Sequence, residues 1–227
     1  MIKVAKDISA HAKGRYIISN PDFTGNVDSL AHLRGSANVM LDMLDGNDEA
    51  VLNALSKIQK AWELFMTDFY NAVKENNGGG SSVGWLKIYS QGRFAQMQSD
   101  ISVMISNDLF KKFVMPELHA QTEFLEHSLY HFDGVEQTMH LDDMLSVPGL
   151  DIIQWQKVDA QNSPVYYIDW LKKIQAAGKC ITVQLQPDEI EPLMTQLSSK
   201  GLHIRVETES KDDAVFAYKQ IQKFTKE

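Results

Sequence analysis

The sequence predicts an α/β fold built on a parallel sheet, and three observations carry that prediction. Short β-branched and aromatic runs alternate with longer segments whose apolar residues recur every three or four positions. Clusters of Gly, Pro, Asn and Asp separate them. Five successive apolar runs also end on polar or amphipathic residues. These ends are Asn20 and Asp22, then Asp100, then His131 and Asp133, then Gln154 and Trp155, then Gln184 and Gln186. In a parallel α/β sheet the chemistry belongs at the carboxyl ends of the strands.

Taken in order, residues 1–13 read as a helix. Arg15 to Ser19 reads as a strand ended by Asn20-Pro21-Asp22. A long helical zone follows, with Leu41, Leu44, Val51, Leu55, Ile58, Trp62, Phe65, Phe69 and Val73 at helical spacing, and Asn47-Asp48-Glu49 as cap and first-turn acids. Residues 75–82, rich in Asn, Gly and Ser, read as a flexible loop. Trp85 to Tyr89 and Phe94 to Gln98 read as extended runs. Ser106-Asn107-Asp108 caps a helix that Pro116 divides. Leu129 to Phe132 is a strand, followed by a helical piece through Leu145 that ends at Pro148-Gly149. The pattern then gives a strand over Asp151 to Trp155 and a helix from Ser163-Pro164 to Gly178. A strand over Cys180 to Val183, a helix over Pro187 to Ser199, a strand over Leu202 to Val206 and a final helix over Asp212 to Phe224 complete it.

Composition narrows the function classes. The 227 residues are 44% hydrophobic and 23% charged, as expected of a globular chain of one or two domains. A net charge of -8 and the absence of a Lys/Arg cluster argue against a nucleic-acid or anionic-membrane surface. One cysteine, Cys180, rules out an internal disulfide framework and fits a reducing compartment. No apolar run approaches a membrane span, and residues 1–7 lack the apolar stretch of a secretory signal. The expected location is the cytoplasm.

The segment Tyr130-His131-Phe132-Asp133-Gly134 holds the sharpest chemical signal. Residues i and i+2 of an extended chain point the same way, so His131 and Asp133 can converge on one metal ion or one substrate. The same spacing also suits a hydrogen-bonded strand-to-helix turn, with Asp133 capping the helical piece over Gly134 to Leu145. Gln154 and Trp155 either line a pocket or belong to the core. Asn20 and Asp22 flank Pro21 and also suit a turn.

Residues 128–134 (SLYHFDG), 140–145 (HLDDML) and 148–155 (PGLDIIQW), together with Asp100, Ser106, Phe110, Phe113 and Pro116 upstream and residues 174–179 downstream, resemble the uroporphyrinogen decarboxylase-like superfamily. The resemblance covers most of residues 14–225. It implies a (β/α)8 barrel of which this chain holds a part, strands four to eight with extra strands near Trp85 and Leu202, in one domain spanning 1–227. Arg15 to Ser19 then corresponds to the fourth strand, Leu129 to Phe132 to the sixth, Asp151 to Trp155 to the seventh and Cys180 to Val183 to the eighth. An open sheet exposes edges that proteins normally cover, so the reading adds a homo-oligomer.

The superfamily contains haem-pathway decarboxylases and zinc-dependent methyltransferases that work with corrinoid proteins. The methyltransferases carry a His-x-Cys pair after the sixth strand; this chain has His131-x-Asp133. A nitrogen and oxygen donor pair still suits zinc or another divalent metal, whereas a thiolate-rich site is excluded because Cys180 opens its strand. The decarboxylases' early aspartate and arginines have no counterpart, nor does the tyrosine they carry after the fourth strand, where residues 29–35 read SLAHLRG.

The resemblance therefore implies metal-assisted methyl or one-carbon transfer on a small-molecule substrate, with a corrinoid protein as partner. His131 and Asp133 are the expected ligands and Asp100 the polarising or acid-base group. Asn20, Asp22, Tyr130, Gln154, Trp155 and Gln184 are expected around the substrate. The alternatives are a non-porphyrin decarboxylase or lyase using Asp100 and His131 for proton transfer, and a non-catalytic relic or accessory subunit.

Overall fold

Residues 1–158 and 163–226 are described by a computed structural model. The chain divides into two compact units. The first comprises Met1–Leu129 and Ser146–Leu150, the second Tyr130–Leu145 and Asp151–Glu227. A five-stranded parallel sheet has the order β3-β4-β5-β6-β7, where β3 is Phe94–Met97, β4 His127–Phe132, β5 Ile152–Trp155, β6 Cys180–Leu185 and β7 Leu202–Val206. The fourth strand, β4, begins in the first unit and ends in the second.

The first unit is mainly helical. It contains α1 (Ile2–Ala12), α2 (Asn26–Arg34), α3 (Ser36–Leu44), α4 (Asp48–Val73), α5 (Asn107–Phe113) and α6 (Met115–Phe124). The length of α4 follows from its apolar stripe: Trp62, Met66, Phe69 and Val73 recur on one face and are buried with Ala5, Ala12, Ile18, Phe23 and Leu125. Phe23 meets Phe65 and Phe69 edge-on, with ring centroids 5.5 and 6.3 Å away. Ser106 caps α5 by accepting from the Leu109 N–H, and α6 begins with Pro116 in its first turn, as the sequence predicts.

The structure departs from the sequence pattern at three places. Arg15 to Ser19 forms no strand. The Ile18 N–H donates to Asn77 Oδ1 at 2.9 Å and the Ile18 carbonyl accepts from Asn77 Nδ2 at 2.8 Å, so one side-chain amide takes the place of a strand partner. The Gly/Ser stretch expected as loop contains β1 (Gly80–Val83), fully buried and antiparallel to β2 (Ile88–Gln91). Glycine is required there: a Cβ on Gly80 would stand 2.4 Å from the Ser90 carbonyl oxygen. The strand expected at Trp85 starts three residues later, because residues 84–87 make the turn, closed by a bond from the Lys87 N–H to the Gly84 carbonyl.

The second unit holds the end of β4, then α7 (Leu141–Leu145), β5, α8 (Ile168–Ala176), β6, α9 (Ile190–Met194), β7 and α10 (Lys211–Phe224). The α9 helix is shorter than expected; the Ser198 N–H leaves the helical pattern to bond Gln175 Oε1. The fifth strand of the sheet is β7, which pairs in parallel with β6, and not the Arg15 to Ser19 stretch.

Strand alternation sorts β4 to β7 into two faces. One carries Tyr130, Phe132, Ile153, Trp155, Ile181, Val183 and Leu185, all buried. The other carries His131, Gln154, Thr182, Gln184, His203 and Arg205, placed side by side by the registers Gln154↔Thr182, Thr182↔His203 and Gln184↔Arg205. Among the described residues no helix is long and apolar enough to cross a membrane.

Candidate functional site

The polar face of the second unit brings the histidine, the carboxylate and the glutamines of the sequence pattern into one arrangement. His131 sits one residue before the end of β4 with its side chain only 13% exposed. The chain turns at once after the strand. Gly134, with φ 94°, occupies a conformation that side chains disfavour, and the Asp133 N–H donates to Gln137 Oε1 at 3.1 Å. This turn leaves Asp133 Oδ1 3.8 Å from His131 Nε2.

A chain of amides holds the other edge of the imidazole. Gln156 Nε2 donates to the Lys157 carbonyl at 2.9 Å. A carbonyl can only accept, so Gln156 presents its oxygen to Gln154, whose Nε2 donates to it at 2.7 Å. Gln154 in turn offers its own oxygen to His131 Nδ1. The direction of the chain therefore puts the proton of a neutral imidazole on Nδ1 and the lone pair on Nε2, the nitrogen that faces Asp133. Gln154 is 5% exposed, so the alignment is screened from water.

The remaining polar residues extend this row. Thr182 Oγ1 and His203 Nδ1 are 2.7 Å apart. Burial, and then the nearby Arg205 charge, push the His203 pKa below its ordinary value. Arg205 donates to Gln184 Oε1. A small cavity of about 110 Å³, lined by Gln156, Lys157, Gln184 and Gln186 among others, lies where β5 and β6 end.

Tyr130 and Trp155 are fully buried on the opposite, apolar face, where Trp155 stacks on Phe132 with centroids 5.1 Å apart. Asn20 and Asp22 belong to the first unit. Asn20 Nδ2 donates to the Phe94 carbonyl at 2.7 Å. Asp22 Oδ1 accepts from the Thr24 N–H at 2.9 Å and from Gln96 at 3.0 Å, the turn-forming role that its place beside Pro21 suggests. Asp100, also in the first unit, opens a 3-10 helix, and its N–H donates to Asp28. Cys180 opens β6, four residues and thus roughly 13 Å of strand from Gln184.

Gln156, Thr182, His203 and Arg205 were not singled out as site residues by the sequence pattern. Gln156 and Thr182 lie two positions from Gln154 and Gln184, so period-2 alternation carries the signal for them. His203 and Arg205 join only through the β6–β7 register. No protein-family model matches the chain, and no curated protein or solved structure was found similar to it.

Proposed function

We propose that the polar face of the second unit is the catalytic corner of a uroporphyrinogen decarboxylase-like, (β/α)8-related protein that carries out metal-assisted methyl or one-carbon transfer. The observation that carries this reading is the oriented imidazole. His131 has Nδ1 engaged by Gln154 and the Nε2 lone pair turned toward Asp133, which is how proteins present a histidine to a metal.

The 3.8 Å separation of Nε2 and Oδ1 exceeds a hydrogen bond. Two ligand bonds of about 2.1 Å each span at most about 4.2 Å, so one ion reaches both atoms. The nitrogen and oxygen donor set suits zinc or a harder divalent ion. When bound, such an ion would supply Lewis-acid polarisation of a small-molecule substrate. His131 and Asp133 would hold it, Gln154 would fix the ring, and Gln184 with Arg205 would contact polar groups of the substrate. The acid-base role of Asp100 and the corrinoid-protein partner rest on the family resemblance.

Zinc titration of the purified protein against a competing chelator tests the ligand pair. Wild-type protein is expected to take up one equivalent. His131→Ala and Asp133→Ala are each expected to weaken uptake by more than roughly a hundredfold, since loss of an outer-shell partner alone costs about 10–100-fold. Equal uptake by all three, or none by the wild type, would remove the metal from the proposal. The absence of metal alone would favour the second reading, a non-porphyrin decarboxylase or lyase with His131 in proton transfer and Asp100 joined to it by the family resemblance.

A further inference from the structure

A second candidate site lies in the helical unit, independent of the strand-end corner. Between α4, α5 and α6 there is a cavity of about 330 Å³. Its apolar wall includes Leu52, Leu55, Phe113 and Pro116, and its polar wall includes Gln59 and Glu117. At about 30 Å³ per water-sized group this holds roughly ten heavy atoms, within the lower range of small-molecule sites.

The polar wall is rich in acceptors, and the donors that border it, the Ser56 hydroxyl and the Lys60 ammonium, do not bond Glu117 Oε2. Glu117 is 4% exposed. Its Oε1 accepts from the Asn26 N–H at 2.6 Å and from Gln121 Nε2 at 3.1 Å. The Val27 N–H also acts on the carboxylate, but no donor among the described residues meets hydrogen-bond geometry at Oε2. The Gln121 amide nitrogen, with two hydrogens, has three acceptors within reach: Glu117 Oε1, Gln59 Oε1 and Asn26 Oδ1. Gln59 spends its own amide on Glu63, which also lines the cavity. The Lys60 side chain is exposed and borders the same cavity. A buried acceptor left without a donor costs about 1–3 kcal/mol, more when charged. Such a wall calls for a ligand that brings donors.

We propose that this cavity binds a small organic ammonium ion, with its cationic nitrogen donating to Glu117 and its hydrocarbon part against Leu52, Leu55 and Phe113. A bound cation offsets the desolvation of the Glu117 carboxylate and favours its ionised form. The hydrocarbon part gains from burial in an apolar wall. Burial, reinforced by the nearby Asp28 carboxylate, raises the Glu117 pKa to about 8, so in the empty protein it is mostly protonated at pH 7. Binding an ammonium at pH 7 therefore releases a proton.

Two matched probes test the proposal: cyclohexylmethylamine, cationic at pH 7, and the neutral cyclohexylmethanol. Titrations are followed by methyl NMR of Leu52 and Leu55 and by calorimetry in two buffers of different ionisation heat. The amine is expected to bind saturably and to release a proton. The alcohol, and the amine with Glu117→Gln, are expected to bind roughly tenfold or more weakly. Equal binding of amine and alcohol, no saturable binding of either at millimolar concentration, or amine binding unchanged in E117Q would each overturn the proposal. The amine–alcohol comparison uses wild-type protein alone and stands whether or not the variant folds.

Discussion

At the scale of single residues, Gln154 is the position where a small change tests the most. It accepts from His131, donates to Gln156 and is nearly inaccessible to water. Gln154→Leu keeps approximate volume but removes the partner that places the imidazole proton on Nδ1. If His131 is a metal ligand, zinc affinity should fall by about 10–100-fold, the usual effect of losing an outer-shell partner, while the fold survives; an unchanged affinity in the chelator titration would show that the amide chain does not orient a ligand. Glu117 governs a different property. Its pKa is raised by burial to about 8 from an unfolded value near 4.3, so the folded state holds the proton more tightly. Stability should therefore fall as pH rises between these values and level off above them. Glu117→Gln removes that slope, so at pH 8.5 to 9 it should melt at a higher temperature than the wild type, by several degrees for a change of a few kcal/mol. Parallel melting curves for the two proteins across pH would show that the carboxyl is not protonated in the fold.

At the scale of elements, the apolar face of β4 and β5 and the entry to α2 make two further tests. Phe132 and Trp155 stack and are fully buried. Phe132→Ala should cost about 3–5 kcal/mol in denaturant unfolding, and a loss below about 1 kcal/mol would mean that this face is loosely packed. Gly25 precedes α2 with ordinary φ, yet a Cβ there would stand 2.0 Å from the Gln98 carbonyl oxygen. Gly25→Ala should destabilise the first unit because a backbone atom, not a movable side chain, blocks the methyl. Circular dichroism melting of the variant checks this. Much of the element pattern was legible in the sequence because helix and strand periods are local. The α4 stripe, the Ser106 cap and the strand over β5 follow from spacing and from residue types within a few positions. The Arg15 to Ser19 stretch has strand composition and no strand; the Ile18 N–H and carbonyl meet the Asn77 amide 59 residues away. In β1 the glycines read as a loop although one of them is needed for close approach to Ser90.

At the scale of the whole molecule, two properties set the expectations. The charge of -8 opposes binding of a polyanion, so no shift of duplex DNA is expected at physiological salt. β7 ends the sheet order, and its residues are half-exposed or exposed along its length. It carries Arg205, a charged residue of the kind that blunts strand edges. The homo-oligomer read from the sequence predicts a mass above 25.7 kDa in native mass spectrometry; a stable monomer would mean that a second chain is not what covers this edge.

The division between sequence and tertiary structure runs through the candidate site itself. Hydrophobic period and turn chemistry determined that strands and helices alternate, that His131 and Asp133 share one side of a strand end, and that Cys180 stands at the wrong end of its strand for a thiolate site. The sidedness of the neighbours was decided only by the fold. Tyr130 and Trp155 went to the core face because strand alternation there gives one side to helices. Thr182, His203 and Arg205 joined the polar row through a register between strands some twenty residues apart. The His131 proton is assigned by Gln154, 23 positions along the chain, and ultimately by the Lys157 carbonyl. Periodicity is a property of neighbouring residues, whereas register and hydrogen-bond direction are properties of pairs that the chain brings together only on folding.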